Sequence, residues 1–282
     1  MLFQDIKNGR FYLGDCLEVM KEIPDGVIDM ILCDLPYGTT ACKWDTIIPF
    51  NLLWEQYERI IKPNGAIVLT ASQPFTSALV MSNVSLFKYE LIWEKSRASN
   101  FVHAKYQPLK AHENIIVFSK AAAAQGTKNP MCYYPQHSKG KPYIKGKGHQ
   151  DNQHLAGGMT KSETIQGVNV TGDRTPRSVS YFSSDSDKQQ RGLHPTQKPV
   201  ALFEYLIKTY TNEGELVLDN CAGSGTTAIA CENTNRSWVC IEKEEEYANK
   251  AVDRILNHNV QPQQILAQEP ETFVIEDVAV ND

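Results

Sequence analysis

Val27-Ile28-Asp29-Met30-Ile31-Leu32-Cys33 is an apolar run of strand length, and Asp34-Leu35-Pro36-Tyr37-Gly38 follows it without a break. Seven residues this rich in aliphatic side chains, closed by a Pro-Gly turn, read as a buried strand. The tetrapeptide from Asp34 to Tyr37 therefore sits at a strand's carboxyl end, the edge where open α/β sheets bind ligands. Pro36 biases Leu35 toward an extended conformation, which can aim its carbonyl beside the Asp34 carboxylate. Two acceptors and an aromatic ring then face one cleft. Such a group suits an exocyclic amine, because binding both of its hydrogens draws the nitrogen toward tetrahedral geometry and frees its lone pair. Tyr37 can stack on a base drawn out of a helix. A plain strand-to-turn junction, with Asp34 solvated and Tyr37 on the rim, accounts for these four residues equally well on their own.

Outward from this stretch, strands and helices alternate. Before it, Arg10 to Asp15 reads as a short strand with Asp15 at its tip, followed by a helix through Leu17 and Met20 that stops before Pro24. After it come a loop with Trp44-Asp45, a helix around Leu52 to Ile61, the strand Ala66 to Thr70 and a helix from about Pro74 to Met81. Strands at Tyr89 to Trp93 and Asn114 to Phe118 bracket a polar loop. From Lys120 to about Gly192 the periodicity disappears, and the composition reads as loop with little regular structure. Its tyrosines, 133, 134, 143 and 181, favour a small irregular lobe that makes contacts over a disordered insertion. Regular structure resumes with His194-Pro195-Thr196-Gln197-Lys198-Pro199, a helix from Val200 to Tyr210, a strand ending in Asp219, a Gly-rich turn, a strand ending in Glu242 and a helix of alternating charge from Glu245 to His258. The alternation predicts a doubly wound, mostly parallel sheet.

The chain has 282 residues, 41% of them apolar, enough for one large α/β domain with an inserted lobe. No apolar run approaches a membrane span, and the first ten residues lack the apolar centre of a signal peptide, so the expected location is cytoplasmic with no membrane partner. Seven cysteines without a CxxC pair fit reduced thiols, and no metal site is expected. The net charge of −5 hides an asymmetry: from Lys88 to Lys147 eleven Lys or Arg face three Glu. Within that stretch Lys139, Lys141, Lys145 and Lys147 flank Tyr143, a pattern that can present lysines along one side of an extended chain to phosphates. A solvated tether is the plain alternative.

The turn Asn220 to Thr226 has glycines at 223 and 225, which permit close backbone approach, and Glu242 at the next strand's end can bind ribose hydroxyls. The third glycine of the dinucleotide fingerprint is missing. S-adenosylmethionine, an adenosine carrying an amino acid, suits this turn better than NAD.

Taken together, these motifs resemble the amino-specific DNA methyltransferases of bacteria and phages in their permuted β-class arrangement. Asp34-Leu35-Pro36-Tyr37 is similar to the family's catalytic motif, Asp-Pro-Pro-Tyr in adenine-N6 enzymes and Ser-Pro-Pro-Tyr in cytosine-N4 enzymes. Leu35 stands where the first proline is usual, and Asn220-Cys221-Ala222 where the cofactor motif continues Asp-Pro-Phe. His112-Glu113 resembles a further motif of the catalytic half. The resemblance implies S-adenosylmethionine as cofactor, bound by Asp15 and Cys16, by Asp34, by His194, Thr196 and Lys198, by Asp219, Ala222, Gly223, Ser224, Gly225 and Thr226, and by Glu242 with Lys243. It implies a Rossmann-like fold divided into a catalytic half at 1–120, a target-recognition region at 121–193, a cofactor half at 194–257 and an acidic tail at 258–282. Double-stranded DNA is the implied partner, with a homodimer and a cognate restriction endonuclease as companions found in the family. Adenine N6 is the expected target. A cytosine-N4 enzyme, an RNA or protein amide methyltransferase and a non-catalytic nucleotide-binding module are the competing readings.

Overall fold

The computed structural model describes residues 2–40, 42, 45–144, 168–183 and 197–260. The chain opens with the hairpin β1 (Leu2–Ile6) and β2 (Gly9–Leu13), then α1 (Cys16–Lys21), β3 (Ile28–Asp34), α2 (Phe50–Ile60), β4 (Ile61–Ala71), α3 (Phe75–Ser82), β5 (Phe87–Ser99) and β6 (Lys110–Phe118). Five short strands follow: β7 (Ser138–Lys139), β8 (Tyr143–Ile144), β9 (Val168–Asn169), β10 (Asp173–Arg174) and β11 (Val179–Phe182). The last stretch is α4 (Val200–Tyr210), β12 (Leu216–Asp219), α5 (Thr226–Asn233), β13 (Ser237–Glu242) and α6 (Glu245–Val260). Among the described residues no helix is long and apolar enough to cross a membrane.

Nine strands form one sheet in the order β1-β2-β13-β12-β3-β4-β6-β5-β11. It is mostly parallel, as expected for the Rossmann-like class, but β1 is antiparallel to β2, and β6 is antiparallel to both β4 and β5. The connection from β5 to β6 holds no crossover helix, so the two strands can pair only as a hairpin. The region after Lys120 also departs from the loop reading. Its strand β11 completes the sheet edge beside β5, while β7 with β10 and β8 with β9 form two small sheets.

The apolar run that reads as a buried strand is one: Ile28 and Met30 to Cys33 are fully buried. Met30 and Leu32 pack under α4, α5 and α6, whereas Ile31 and Cys33 pack under α1, α2 and α3. A strand covered on both faces needs no polar alternation, which is why the sequence shows none. Pro63-Asn64-Gly65 forms a bulge early in β4, between the pairs Ile28 with Ile61 and Met30 with Ala66.

At the centre, β12 lies parallel to β3, with Val217 opposite Met30 and Leu218 opposite Ile31. Asp29 secures this junction: its Oδ2 accepts from Leu216 N at 2.9 Å and its Oδ1 pairs with Lys62 at 2.5 Å. The sheet's topological switch point therefore falls between β12 and β3, and the tips of both strands open on the same crevice.

At the other junction, Gly9 of β2 faces Trp238 of β13, whose indole is fully buried. A Cβ at position 9 would stand 2.1 Å from Trp238 Cδ2. Gly9→Ala should therefore destabilise the fold by about 1–3 kcal/mol through overpacking and alter the near-ultraviolet circular dichroism of the buried indole. Gly26 has φ +62° with open space around it. Gly26→Ala should cost about 1–2 kcal/mol through its backbone alone, without the spectral change. Denaturant midpoints with near-ultraviolet spectra of both variants check the pair.

Candidate active site

At the tip of β3 the Asp34 carboxylate collects three donors. Its Oδ1 accepts from Tyr37 Oη at 2.8 Å and from the Thr70 hydroxyl at the end of β4, and its Oδ2 is 2.5 Å from Lys198 Nζ. Tyr37 also donates toward Thr70 at 3.2 Å, and its ring stacks on Phe75 with centroids 5.2 Å apart. Burial, followed by the nearby Asp34 charge, pushes the Tyr37 phenol up, so it stays a donor. The turn beyond is held by Asp45, which accepts from the backbone N–H groups of Gly38, Thr39 and Thr40 at 2.7–2.9 Å. Burial would raise the Asp45 carboxyl, but the Thr40 hydroxyl and these amides outweigh it and hold the pKa low.

Lys198 stands just before α4 and is 6% exposed. Its ammonium bridges Asp34 and Glu113 Oε2, the latter at 3.5 Å, and Lys95 pairs with the other oxygen of Glu113. Lys95, Glu113, Lys198 and Asp34 thus form an alternating row of charges from β5 and β6 to β3. Desolvation would lower the pKa of Lys198, but Asp34 and Glu113 outweigh it and raise it; desolvation would raise that of Glu113, but Lys198 and Lys95 outweigh it and lower it. The ammonium expected on the cofactor is therefore engaged by the carboxylate of the tetrapeptide.

Across the crevice, the tips of β12 and β13 shape the Gly-rich turn. Asp219 is buried, its Oδ1 accepting from Cys221 N at 3.0 Å and its Oδ2 from the Thr227 hydroxyl. Burial raises it to about 6 despite these donors. The carboxylate braces the turn from below. Glu242 Oε2 accepts from Gly223 N at 2.8 Å, and its Oε1 accepts from Lys243 N at 2.8 Å and Glu244 N at 2.9 Å. Asp15 caps α1 by accepting from Leu17 N at 3.0 Å and lies 3.4 Å from Lys243 Nζ. From α6, buried Arg254 donates to Ser224 O at 3.0 Å and to the Thr226 hydroxyl at 3.1 Å. Nothing in the alternating charges of that helix distinguishes this arginine from a solvated one.

The two ends share a cleft of about 580 Å³. Its walls include Asp15, Cys16, Asp34, Leu35, Pro36, Tyr37, Lys198, Asp219, Ala222, Gly223, Ser224, Thr226, Glu242 and Lys243. Gly225 does not line it. With φ +75° it begins α5 and faces α6, where a Cβ would meet Ala251 and Ile255 at 3.2 Å, so it serves helix packing. His194 and Thr196 lie outside the described residues, as do Trp44, Arg191, Lys145, Lys147 and the tail from residue 261; residues 258–260 belong to α6. Phe101 is exposed and does not line the cleft. Lys139, Lys141 and Tyr143 do not line it either. Lys139 pairs with Asp173 at 2.6 Å, the Lys141 carbonyl accepts from Arg174, and the Arg174 guanidinium lies 4.9 Å from the Tyr143 ring centroid.

Replacing Lys198 with Met would leave Asp34 and Glu113 facing each other without their cation, which should destabilise the chain at pH 7 by on the order of 3 kcal/mol. Glu113 is held below its ordinary value, so its stabilising contribution is full above about pH 4.3 and fades as the pH falls through its folded value. Lys198 is held above its ordinary value, so its contribution is full below about pH 10.4 and fades as the pH rises through its folded value. Denaturant unfolding of Lys198→Met and wild type should show the largest gap near neutrality and a smaller one at pH 4.

A family model described as DNA methylase, of the N6 and N4 type, matches residues 28–253. Among curated relatives, the type II methyltransferase M.HpaI of Haemophilus parainfluenzae is 26% identical over 260 residues, which span 87% of this chain and 74% of that one. The type II methyltransferase M2.MboI of Moraxella bovis is 26% identical over 284 residues, with 92% and 90% covered. The fold is shared with the cytosine-N4-specific PvuII DNA methyltransferase, at a TM-score of 0.62 and 18% identity over 90% of this chain and 89% of that one. It is also shared with M1.HpyAVI, solved as a SAM complex, at a TM-score of 0.56 and 24% identity over 88% and 98%. The family match starts at the first residue of β3 and ends inside α6, so it takes in both ends of the cleft, and the chain belongs to the DNA methylase family.

Proposed function

We propose that this DNA methylase transfers a methyl group from S-adenosylmethionine to the N6 amine of an adenine flipped out of double-stranded DNA. The observation that carries the reading is the convergence of the Asp34 carboxylate and the Glu242-bound Gly-rich turn on one cleft from opposite sides of the sheet's switch point. The turn fits an adenosine with an amino-acid tail. Glu242 Oε2 holds a single backbone N–H and keeps capacity for a ribose hydroxyl, and apolar groups such as Leu17, Ile48 and Phe203 offer surface to a purine. Among the described residues, the cleft's cations, Lys95, Arg97, Lys198 and Lys243, do not gather at the turn: Lys95 and Lys198 serve Glu113 and Asp34, Arg97 stands on β5 and Lys243 lies beside Asp15. S-adenosylmethionine, when bound, supplies a methyl group already activated on a sulfonium.

The chain's own residues then have to hold the amine and keep its acceptor ready. Lys198 holds the Asp34 carboxylate from one side, while Tyr37 and Thr70 fix the orientation of Oδ1, leaving Oδ2 to share an amine hydrogen. The Leu35 carbonyl is the proposed second acceptor. With its ring on Phe75 and its hydroxyl on Asp34, Tyr37 both presents an aromatic surface to the base and positions the acid. Adenine is favoured over cytosine by the aspartate at 34, where the cytosine-N4 form of the motif carries serine. Residues 1–120 hold the base, 194–257 hold the cofactor, and 121–193 with Lys139, Lys141 and Tyr143 take part in reading DNA.

Nucleoside mass spectrometry of DNA methylated by the purified chain should reveal N6-methyladenine; N4-methylcytosine would instead establish the other base. Asp34→Ala should lower methyl transfer by at least ~10²-fold, the scale of losing one preorganised polar group. Tyr37→Phe, which removes one of three donors on the acid, should cost about tenfold. Glu242→Ala should weaken S-adenosylmethionine binding by about 1–3 kcal/mol in calorimetry without DNA. Near wild-type turnover by Asp34→Ala would remove the acid from the mechanism.

A further inference from the structure

The hairpin of β5 and β6 rises past the catalytic edge of the sheet. Asp34 is in register with Thr70, Thr70 with Ile115, and Ile115 with Leu91, which marks the level of the acid on this hairpin. From there β6 extends back to Lys110 and β5 forward to Ser99. Five residues of strand correspond to roughly 17 Å. Because β5 runs parallel to β3 and β4 across the antiparallel β6, this extension points out of the ligand edge. Lys95 and Arg97 at its base line the cleft.

The tip of this arm is closed by backbone hydrogen bonds but buries almost nothing. Asn100 adopts φ +74° and opens a 3-10 turn, Phe101–His103, and the turn is tied by His103 N to Asn100 O at 3.0 Å, Ala104 N to Phe101 O at 3.1 Å and Tyr106 N to His103 O at 2.8 Å. Every residue from Asn100 to Leu109 is exposed. Phe101 is 66%, Val102 89% and Tyr106 86% exposed, a concentration of large apolar side chains that a surface turn does not need for its own stability. Lys95 is balanced by Glu113, but beyond it, from Arg97 to His112, the chain carries Arg97, Lys105 and Lys110 and no Asp or Glu. An apolar tip on a basic arm beside the cleft is complementary to a polyanion with stackable bases.

We infer that the β5–β6 tip is a wedge for duplex DNA, inserting Phe101 and Tyr106 against the bases beside the nucleotide held in the cleft. The inference rests on the DNA substrate proposed above. Its chemistry is that of apolar side chains that enter a helix at a base step, unstack it and take up the exposed base faces. Extruding a nucleotide leaves neighbouring bases without a stacking partner, and an aromatic ring at the rim of the cleft replaces part of what is lost. Lys105 and Arg97 stand where phosphates of the same segment would pass. A second copy of the chain is the other candidate occupant, but a two-fold contact through this tip would set two arms of like charge against each other.

Two full-length variants test the wedge. Phe101→Ala/Tyr106→Ala removes both rings, and Phe101→Tyr/Tyr106→Phe retains them. Binding is read by the anisotropy of a short labelled duplex, methyl transfer with unmethylated plasmid DNA, S-adenosylmethionine affinity by calorimetry, and self-association by sedimentation. The alanine variant should bind the duplex at least ~10-fold more weakly and show a correspondingly raised KM for DNA, with cofactor affinity and sedimentation unchanged. The ring-retaining variant should stay within about twofold of wild type in every readout, which a loss of fold would not reproduce. Wild-type duplex affinity in the alanine variant would overturn the wedge, as would a defect confined to sedimentation, which would make the tip a contact between copies. A wild-type chain that binds the duplex but leaves plasmid DNA unmethylated would overturn the proposed function, while the binding comparison would still judge the tip.

Discussion

The pairing of β12 with β3 is the constraint on which the rest of this molecule depends. These strands belong to opposite ends of the sequence, and their parallel alignment places two carboxylates, Asp34 and Asp219, at neighbouring tips. Parallel strands release their tips on the same edge, so one junction is enough to oppose a base-holding half to a nucleotide-holding half. Asp29 stabilises that junction from the far end, through the Leu216 amide and Lys62, well away from the chemistry. The scaffold can therefore be firm where the site has to open.

Inside the crevice the two carboxylates are treated in opposite ways. Asp219 is buried with no cation beside it among the described residues, is raised to about 6 and has its oxygens taken by Cys221 N and the Thr227 hydroxyl, so it acts on the turn. Asp34 is paired with Lys198 and keeps one side toward the cleft. Lys198 is itself balanced by Glu113 and, through it, by Lys95. A row of alternating charges of this kind holds the acid in place without leaving any one charge uncompensated in a low-dielectric site.

Much of this could be read from the chain, for reasons that differ from element to element. The apolar run before Asp34 is legible because a strand buried on both faces has no polar alternation to confuse it with a loop, and Pro36 with Gly38 marks its end. Glu242 and the glycines are legible because their spacing follows from the geometry of one strand-turn-helix unit. By contrast β1 and β11 are short edge strands whose residues alternate too briefly to be told from loop, and β11 lies in a stretch of biased composition. The partnership of Lys198 with Asp34 spans 164 residues, and that of Arg254 with Ser224 spans 30, so neither leaves a local signature. Tyr37 was legible as an aromatic at the cleft, but the bond from its hydroxyl to Asp34 depends on side-chain packing that only the folded chain supplies.

The junction between Asp29 and Leu216 bridges 187 residues, which has a consequence for the life of the chain before it is whole. At ribosomal speeds of about 5–20 residues per second, β3 waits roughly 10–40 s for its neighbour β12. Through that interval the edge of β3 that will receive β12 has no native partner, and the face that α4, α5 and α6 will cover stays bare. Contacts of such long range also form slowly once the chain is complete. The arrangement that brings both halves of the site to one edge therefore makes the nascent chain sticky, and its yield in a cell depends on how well that edge is shielded during synthesis.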